Sequence, residues 1–168
     1  MSIFLSNLGI GAIELFDRFW LDLVQNGMLP LKCEFYPERI RDVLPNLMVK
    51  DVLRCPLDFR FRLMGTAICY EFGTDYTGQR FTQIDNYGPD SLVWQNNKQV
   101  LDTGGVSRND IPYRGRTQSI RSIKQASYPF SNNGEDVDYV FTVIEFHSTK
   151  ATASAETTSF AIFDPADR

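Results

Sequence analysis

The residue types that carry most enzyme and metal chemistry are scarce in this chain of 168 residues. His147 is its only histidine, which argues against a serine–histidine–aspartate triad and against a multi-histidine metal site. Cys33, Cys55 and Cys69 are odd in number and widely spaced, so we expect reduced thiols rather than a disulfide framework. The sequence therefore predicts a protein that binds rather than one that catalyses.

One enzymatic alternative stays open at this stage. A small α+β enzyme of the cyclase or isomerase type has a similar length and strand content, and it needs a general acid or base inside its cavity. Asp51 and Tyr128 are the only candidates that we expect to point inward. A strongly shifted pKa for Asp51 would favour this alternative, and without one we predict that the chain is not an enzyme.

Composition narrows the class of protein. Hydrophobic residues make up 43% of the chain and aromatic residues 13%, which is ample for a buried core. The formal net charge of −4 argues against a nucleic-acid partner and against binding to an anionic membrane. No run of about 18 or more apolar residues occurs, so we predict a cytoplasmic protein without a membrane-spanning segment.

Hydrophobic periodicity predicts an α+β domain behind an N-terminal helix. Phe59, Phe61 and Leu63 alternate with arginines, which is typical of a strand with one buried face. In chain order, we predict helices over 13–24, 37–44, 67–72 and 89–101, and strands over 47–53, 59–66, 106–113, 119–130 and 137–146. We accordingly divide the chain into an amphipathic cap helix at 1–28, a domain at 29–148 and a C-terminal tail at 149–168.

Both faces of the last predicted strand are apolar. Val140 and Ile144 lie on one face, and Phe141 and Val143 lie on the other. An antiparallel sheet usually leaves one face to solvent, so the N-terminal helix or a second subunit must cover this one. We predict a homodimer whose contact is made by the helix residues Phe16, Trp20 and Leu23.

Short motifs along the sequence resemble one branch of PAS domain proteins from alphaproteobacteria. The most specific segment is Phe-Arg-Phe-Arg-Leu-Met-Gly-Thr at 59–66, followed by Gly-Thr-Asp-Tyr-Thr-Gly at 73–78. The other matching motifs, at similar spacing, are Phe19-Trp20, Leu29-Pro30, Leu44-Pro45 and Asp51-Val52. The resemblance covers residues 19–146.

The resemblance implies a PAS-like fold, in which a five-stranded antiparallel sheet carries helices on one face, and a role in signal transduction. PAS domains bind small molecules or cofactors, or dimerise, and pass the change to an output. The chain is too short to hold a kinase or cyclase as well, so we expect a stand-alone sensory module that acts on a protein signalling partner.

The resemblance also bears on cofactors. Haem-binding PAS domains usually carry their ligand histidine on the long helix, here 89–101, and adduct-forming flavin photosensors carry a cysteine after the short helices. Neither residue occurs at those positions of this sequence, so we expect neither haem nor a covalent flavin adduct. The sequence does not identify the ligand.

A ligand pocket is expected between the sheet and the helices. The residues that we predict to line it are Phe61, Leu63, Tyr70, Phe72, Tyr76, Phe81, Leu92, Asn96, Tyr128 and Phe141. The amide of Asn96 would give a ligand one hydrogen-bonding point among apolar walls. The alternative is that these side chains fill the core completely, in which case the protein is a ligand-free interaction adaptor.

Overall fold

A five-stranded antiparallel sheet forms the centre of the computed structural model, which describes residues 10–113 and 117–148. The strands are β1 (Leu47–Leu53), β2 (Asp58–Met64), β3 (Ser107–Pro112), β4 (Ser122–Phe130) and β5 (Tyr139–His147), in the spatial order β2-β1-β5-β4-β3. The helices are α1 (Ala12–Leu23), α2 (Thr66–Phe72) and α3 (Leu92–Thr103). The predicted α+β class with an antiparallel sheet and an N-terminal helix is confirmed. The predicted tail at 149–168 lies outside the described residues.

Ser91 explains why α3 begins later than the sequence predicts. Pro89 is compatible with a first helical position, but the side chain of Ser91 accepts a hydrogen bond from the backbone N–H of Trp94 at 3.1 Å. The helix therefore begins at Leu92. It ends at Gly104, whose φ of 62° is the left-handed conformation that glycine adopts without strain.

Gly65 allows the chain to turn closely from β2 into α2. A Cβ atom at this position would overlap the backbone carbonyl oxygens of Leu44 and Pro45, which belong to the short 3-10 turn before β1. Because backbone atoms cannot move aside as a flexible side chain can, only glycine fits here. The close approach holds α2 against the start of β1, and this places α2 at the edge of the sheet.

The sheet separates two hydrophobic clusters. The cluster beneath α2 and α3 includes Phe59, Phe61, Phe81 and Trp94. The cluster beneath α1 has as its largest buried side chains Phe16, Tyr128, Phe130 and Phe141. The two apolar faces predicted for the last strand are therefore each covered, and α1 of the same chain covers the second one.

Polar contacts hold α1 on the sheet, in addition to the apolar packing. The carboxylate of Glu145 on β5 accepts a hydrogen bond from the backbone N–H of Ile13 at 2.8 Å. The hydroxyl of Tyr128 donates to Asp17 at 2.8 Å, and the indole N–H of Trp20 donates to the carbonyl of Pro129 at 3.1 Å. Each contact joins α1 to β4 or β5.

This docking bears on the predicted dimer contact. Phe16 is fully buried and Leu23 is buried, and both pack against the chain's own sheet rather than facing outward. Trp20 is half-buried, and its indole ring lies 6.0 Å from the ring of Tyr128. While α1 is docked, the chain's own sheet covers Phe16 and Leu23 and leaves part of Trp20 exposed, and the homodimer with its contact residues stays a prediction.

Two predictions from composition bear on the same structure. Within residues 10–113 and 117–148, no helix is both long and apolar enough to cross a bilayer. Cys33, Cys55 and Cys69 are all unpaired, as their number and spacing predict.

Candidate ligand cavity

A partly open cavity of about 90 Å³ lies between the sheet and the helices α2 and α3. Its aromatic walls are Phe61, Phe72, Tyr76, Phe81, Tyr87 and Tyr113. Its other lining side chains are Met48, Lys50, Glu71, Val93, Asn97, Ile111, Pro112, Ile123, Gln125, Ser127 and Ile144. We call the side lined by the buried residues Lys50, Ser127 and Ile144 the inner end, and the side lined by the exposed Pro112 the outer end.

The inner aromatic wall is built from β2 and from the loops that follow α2. The rings of Phe61 and Phe81 lie 4.9 Å apart, and Tyr87 contacts both of them at 6.0 and 5.4 Å. The ring of Tyr76 stacks on Phe61 at 6.0 Å. Burial raises the pKa of Tyr87, so its hydroxyl stays neutral over the physiological range.

Lys50 is a charged residue in the middle of the sheet and at the inner end of the cavity. It is only 2% exposed, and its Nζ donates to Asn97 Oδ1 at 2.9 Å and to Thr142 Oγ1 at 2.7 Å. The hydroxyls of Thr142 and Ser127 are hydrogen-bonded to each other at 2.7 Å. Lys50 therefore lies in a row of neutral polar groups that crosses β1, β5 and β4.

No carboxylate of the described residues lies within ion-pairing distance of Lys50. Burial without an ion pair disfavours the ammonium form, and it lowers the pKa of Lys50 from its ordinary 10.5 to about 7. Buried charges in proteins are nearly always paired, so a lysine in this state within a cavity makes the cavity the candidate functional site.

Glu71 supplies the second charged group of the cavity. Its carboxylate accepts hydrogen bonds from the hydroxyl of Tyr113 at 2.5 Å and from the hydroxyl of Thr117 at 3.1 Å. These contacts tie the end of α2 to the segment after β3. The cavity thus has a cation at its inner end and an anion near its outer end.

The structure places four of the predicted pocket residues in the cavity wall, namely Phe61, Phe72, Tyr76 and Phe81. Leu63 does not line it, and the reason is a β-bulge. Val49 pairs with Leu63 while Lys50 pairs with Phe61, so Arg62 is an extra residue in β2. The bulge breaks the alternation, and Leu63 is turned away and 43% exposed.

The other predicted pocket residues also lie elsewhere. Tyr70 and Leu92 are on outer helix surfaces and are 71% and 41% exposed. Tyr128 and Phe141 are buried on the opposite face of the sheet, in the cluster under α1, because alternate residues of a strand face opposite sides. The buried side chain of Asn96 does not line the cavity, and its Nδ2 has no hydrogen-bond partner among the described residues.

Sequence reasoning missed Lys50 and Asn97, although one signal pointed to the lysine. Lys50 lies in the mainly apolar segment Leu-Met-Val-Lys-Asp-Val-Leu. This segment forms β1, which pairs with β2 on one side and with β5 on the other. A charge in such a strand is buried on whichever face it occupies. Asn97 follows the predicted Asn96 by one position. The rotation of the helix about its axis determines that the amide of Asn97, and not that of Asn96, lines the cavity.

The acid–base candidates of the enzymatic alternative are not in the cavity. Asp51 accepts hydrogen bonds from Arg60 at 2.7 Å and Arg62 at 2.5 Å, away from the cavity lining. His147 is at the end of β5, where its ring contacts Glu145 at 3.3 Å. Among the described residues, no three His, Cys, Asp or Glu side chains cluster in a way that would hold a metal ion.

Comparison with known proteins agrees with the architecture. A family model described as PAS domain matches residues 11–106, which is more than half of the chain and runs from the start of α1 to the residue before β3. No curated protein matches the chain. PAS domains are sensory and signalling modules and are generally not enzymes. The chain belongs to the PAS domain family.

Proposed function

We propose that this protein is a sensory PAS module that binds a small molecule in the cavity and passes the bound state to a protein partner. The observation that carries the proposal is the buried, unpaired Lys50 at the inner end of a partly open cavity. A core that served stability alone would be filled, and it would gain nothing from a lysine at this position.

The cavity also favours a sensor over an interaction adaptor without a ligand. Its walls come from three separate parts of the chain, which are the sheet, the helix pair α2 and α3, and the loop that carries Tyr76 and Tyr87. A molecule that contacts all three would change how they pack on one another. That is the physical step by which occupancy of the site would reach the surface.

The proposal also covers the domain limits, the output partner, the location in the cell and the oligomeric state. Residues 29–148 form the sensory unit, with the preceding helix as a cap, and the output is a protein signalling partner in the cytoplasm. The homodimer belongs to the same proposal. The exposed side chains of Leu21 on α1 and of Tyr36 in the segment between α1 and β1 are accessible to either kind of partner.

Mass spectrometry of the freshly purified protein tests the proposal. We expect a native mass that exceeds the denatured mass by a small ligand, and an absorption spectrum on the same sample shows whether the ligand is coloured. The variant Val93→Phe places a ring in the cavity wall and should reduce the bound fraction. Leu92→Phe, at the adjacent exposed position, is the matched control.

The opposite result of this test would favour the ligand-free interaction adaptor. A bare mass in every preparation, together with no mass gained from a cell extract, would show that the cavity is not a ligand site. The partner would then have to recognise the protein without a bound molecule.

A further inference from the structure

We propose that the ligand is a short monocarboxylate whose carboxylate is bound by Lys50 Nζ and whose apolar part lies against Phe61 and Tyr87. This inference rests on the proposed function, because it names the chemical class of molecule that the sensory cavity takes.

The first argument is the unused hydrogen of the lysine ammonium. An ammonium group has three N–H donors and accepts nothing. In the described part of the chain, Asn97 and Thr142 accept two of these hydrogens, and no third acceptor lies within hydrogen-bonding distance of Nζ. One donor is left over in a buried position on the cavity wall, and an ionised oxygen of a ligand is the strongest acceptor that would meet it.

The second argument is that the lysine is held in place before any ligand arrives. Asn97 donates from Nδ2 to the carbonyl of Val93 at 2.7 Å, which fixes the amide oxygen that Lys50 contacts. Thr142 is fixed in the same way by Ser127. A ligand therefore does not have to order the lysine side chain on binding, and this ordering would otherwise weaken the affinity.

The third argument limits the ligand to one negative charge. Lys50 is the only cationic side chain in the cavity lining that the structure describes, and Glu71 is an acidic one near the outer end. A dicarboxylate or a phosphate dianion would bring its second charge towards Glu71 without a cation to balance it. A monocarboxylate satisfies Lys50 and leaves the rest of the cavity to apolar contacts.

Cavity size favours a short molecule. A cavity of roughly 150 Å³ accommodates benzene, and this one measures about 90 Å³. A short aliphatic acid fits at the inner end, and a longer chain would extend through the outer end past Pro112. Aliphatic carboxylates of increasing length therefore test both the charge and the size of the site.

The affinity for the carboxylate should also depend on pH, and the protonation of Lys50 sets the direction of this dependence. The titratable side chains facing the cavity are Lys50 from β1, Glu71 from α2, and the tyrosines at 76, 87 and 113 from the loops. The pKa of Lys50 in the unliganded protein is lowered to about 7, so the carboxylate meets an ammonium below that pH and a neutral amine above it. Affinity for the anion should fall about tenfold between about pH 6 and pH 8.

Titration calorimetry with matched pairs of probes tests the inference. The probes are butanoate and hexanoate with their uncharged isosteres butanamide and hexanamide. With the wild-type protein at about pH 6, we expect each acid to bind at least about tenfold more tightly than its amide. The amides should show little change in affinity between the two pH values.

Three variants assign the effect to one side chain. Lys50→Met keeps the length and volume of the side chain and should abolish both the preference for the acid and its pH dependence. Lys98→Met removes an exposed lysine of α3 that pairs with Asp102, and should change neither. Glu71→Gln keeps the shape of the outer end and should leave the pH dependence in place.

The outcomes separate this inference from the proposed function. Equal binding of acids and amides by the wild-type protein would overturn the monocarboxylate and leave a small-molecule sensor standing. A neutral or dianionic molecule in the native mass spectrum would have the same meaning. Failure of every probe to bind, alongside a bare native mass, would overturn both. The comparison of acid with amide needs only the wild-type protein, so it remains decisive even if Lys50→Met does not fold.

Discussion

Lys50 and Asp51 are neighbours on β1 and lie on opposite faces of the sheet. Their charged groups differ in whether they have a partner of opposite charge. Asp51 points away from the cavity, where Arg60 and Arg62 both donate to its carboxylate. Lys50 points to the cavity face, where its partners are the neutral groups of Asn97 and Thr142. One charge is balanced by opposite charges within the chain, and the other has only neutral partners among the described residues.

The same contrast holds for the packing of the two faces. Under α1 the rings of Phe130 and Phe141 stack at 4.1 Å, and Phe16 approaches Tyr128 at 4.7 Å. Under α2 and α3, the rings surround a cavity of about 90 Å³. Both faces are therefore packed with buried side chains, and the face under α2 and α3 differs in that its packing leaves a cavity.

Truncating one ring on each face is the strongest test of this contrast. Phe141→Ala should lower the free energy of unfolding by about 3–5 kcal/mol, because it empties a position surrounded on all sides. Phe61→Ala should cost less, because its ring lines the cavity and so borders empty space on one side. Denaturant unfolding measures both, and Leu21→Ala on the exposed side of α1 is the control. Equal costs at the two positions would contradict the difference in packing.

Lys50→Met tests the unpaired charge through stability rather than binding. The folded protein holds the pKa of Lys50 at about 7, below its ordinary 10.5, so the unfolded chain binds more protons between these values. Wild-type stability should therefore rise by up to about 1.4 kcal/mol per pH unit from about pH 7 to pH 9. Below about pH 7 the full penalty is present, and there Lys50→Met should be the more stable protein. Parallel pH profiles for the two proteins would count against a buried unpaired ammonium.

Asp51→Asn should act in the opposite direction, since it breaks a pair instead of removing an unpaired charge. We expect a loss of about 1–2 kcal/mol, because the carboxylate is buried while both guanidinium groups are nearly half exposed. The matched control is Asp102→Asn, which removes an exposed pair with Lys98 and should cost no more than about 0.5 kcal/mol. Thermal or denaturant unfolding compares them, and a smaller loss at position 51 than at position 102 would refute this account.

The sequence was sufficient to predict the elements and the antiparallel sheet because those depend on local periodicity. The bounds of β1 are those that the run of apolar residues predicts, and Gly73 ends α2 with a φ of 72°, as its place after an apolar turn predicts. That the last strand needs cover on both faces also follows from its composition. Whether α1 or a second chain provides that cover depends on how the intervening segment folds.

The site was less predictable, because it depends on single-residue shifts. The alternation of Phe59, Phe61 and Leu63 predicts one shared face, and the bulge at Arg62 removes Leu63 from it. The same bulge lets Arg62 reach Asp51 together with Arg60. Nothing in local periodicity marks the bulge, since it is set by the pairing with β1.

The start of α3 gives the smallest and most local test of how the cavity face is held. The first turn of α1 receives its acceptor from Glu145 on the sheet, whereas α3 is capped by its own Ser91. Ser91→Ala should therefore cost about 1 kcal/mol and should speed amide hydrogen exchange at Trp94 without changing exchange in α1. Ser91→Asp keeps an acceptor at the same place and should restore protection. If Ser91→Ala instead increased exchange across the whole sheet, α3 would be needed for global stability, and the effect of the cap would not be confined to the cavity face.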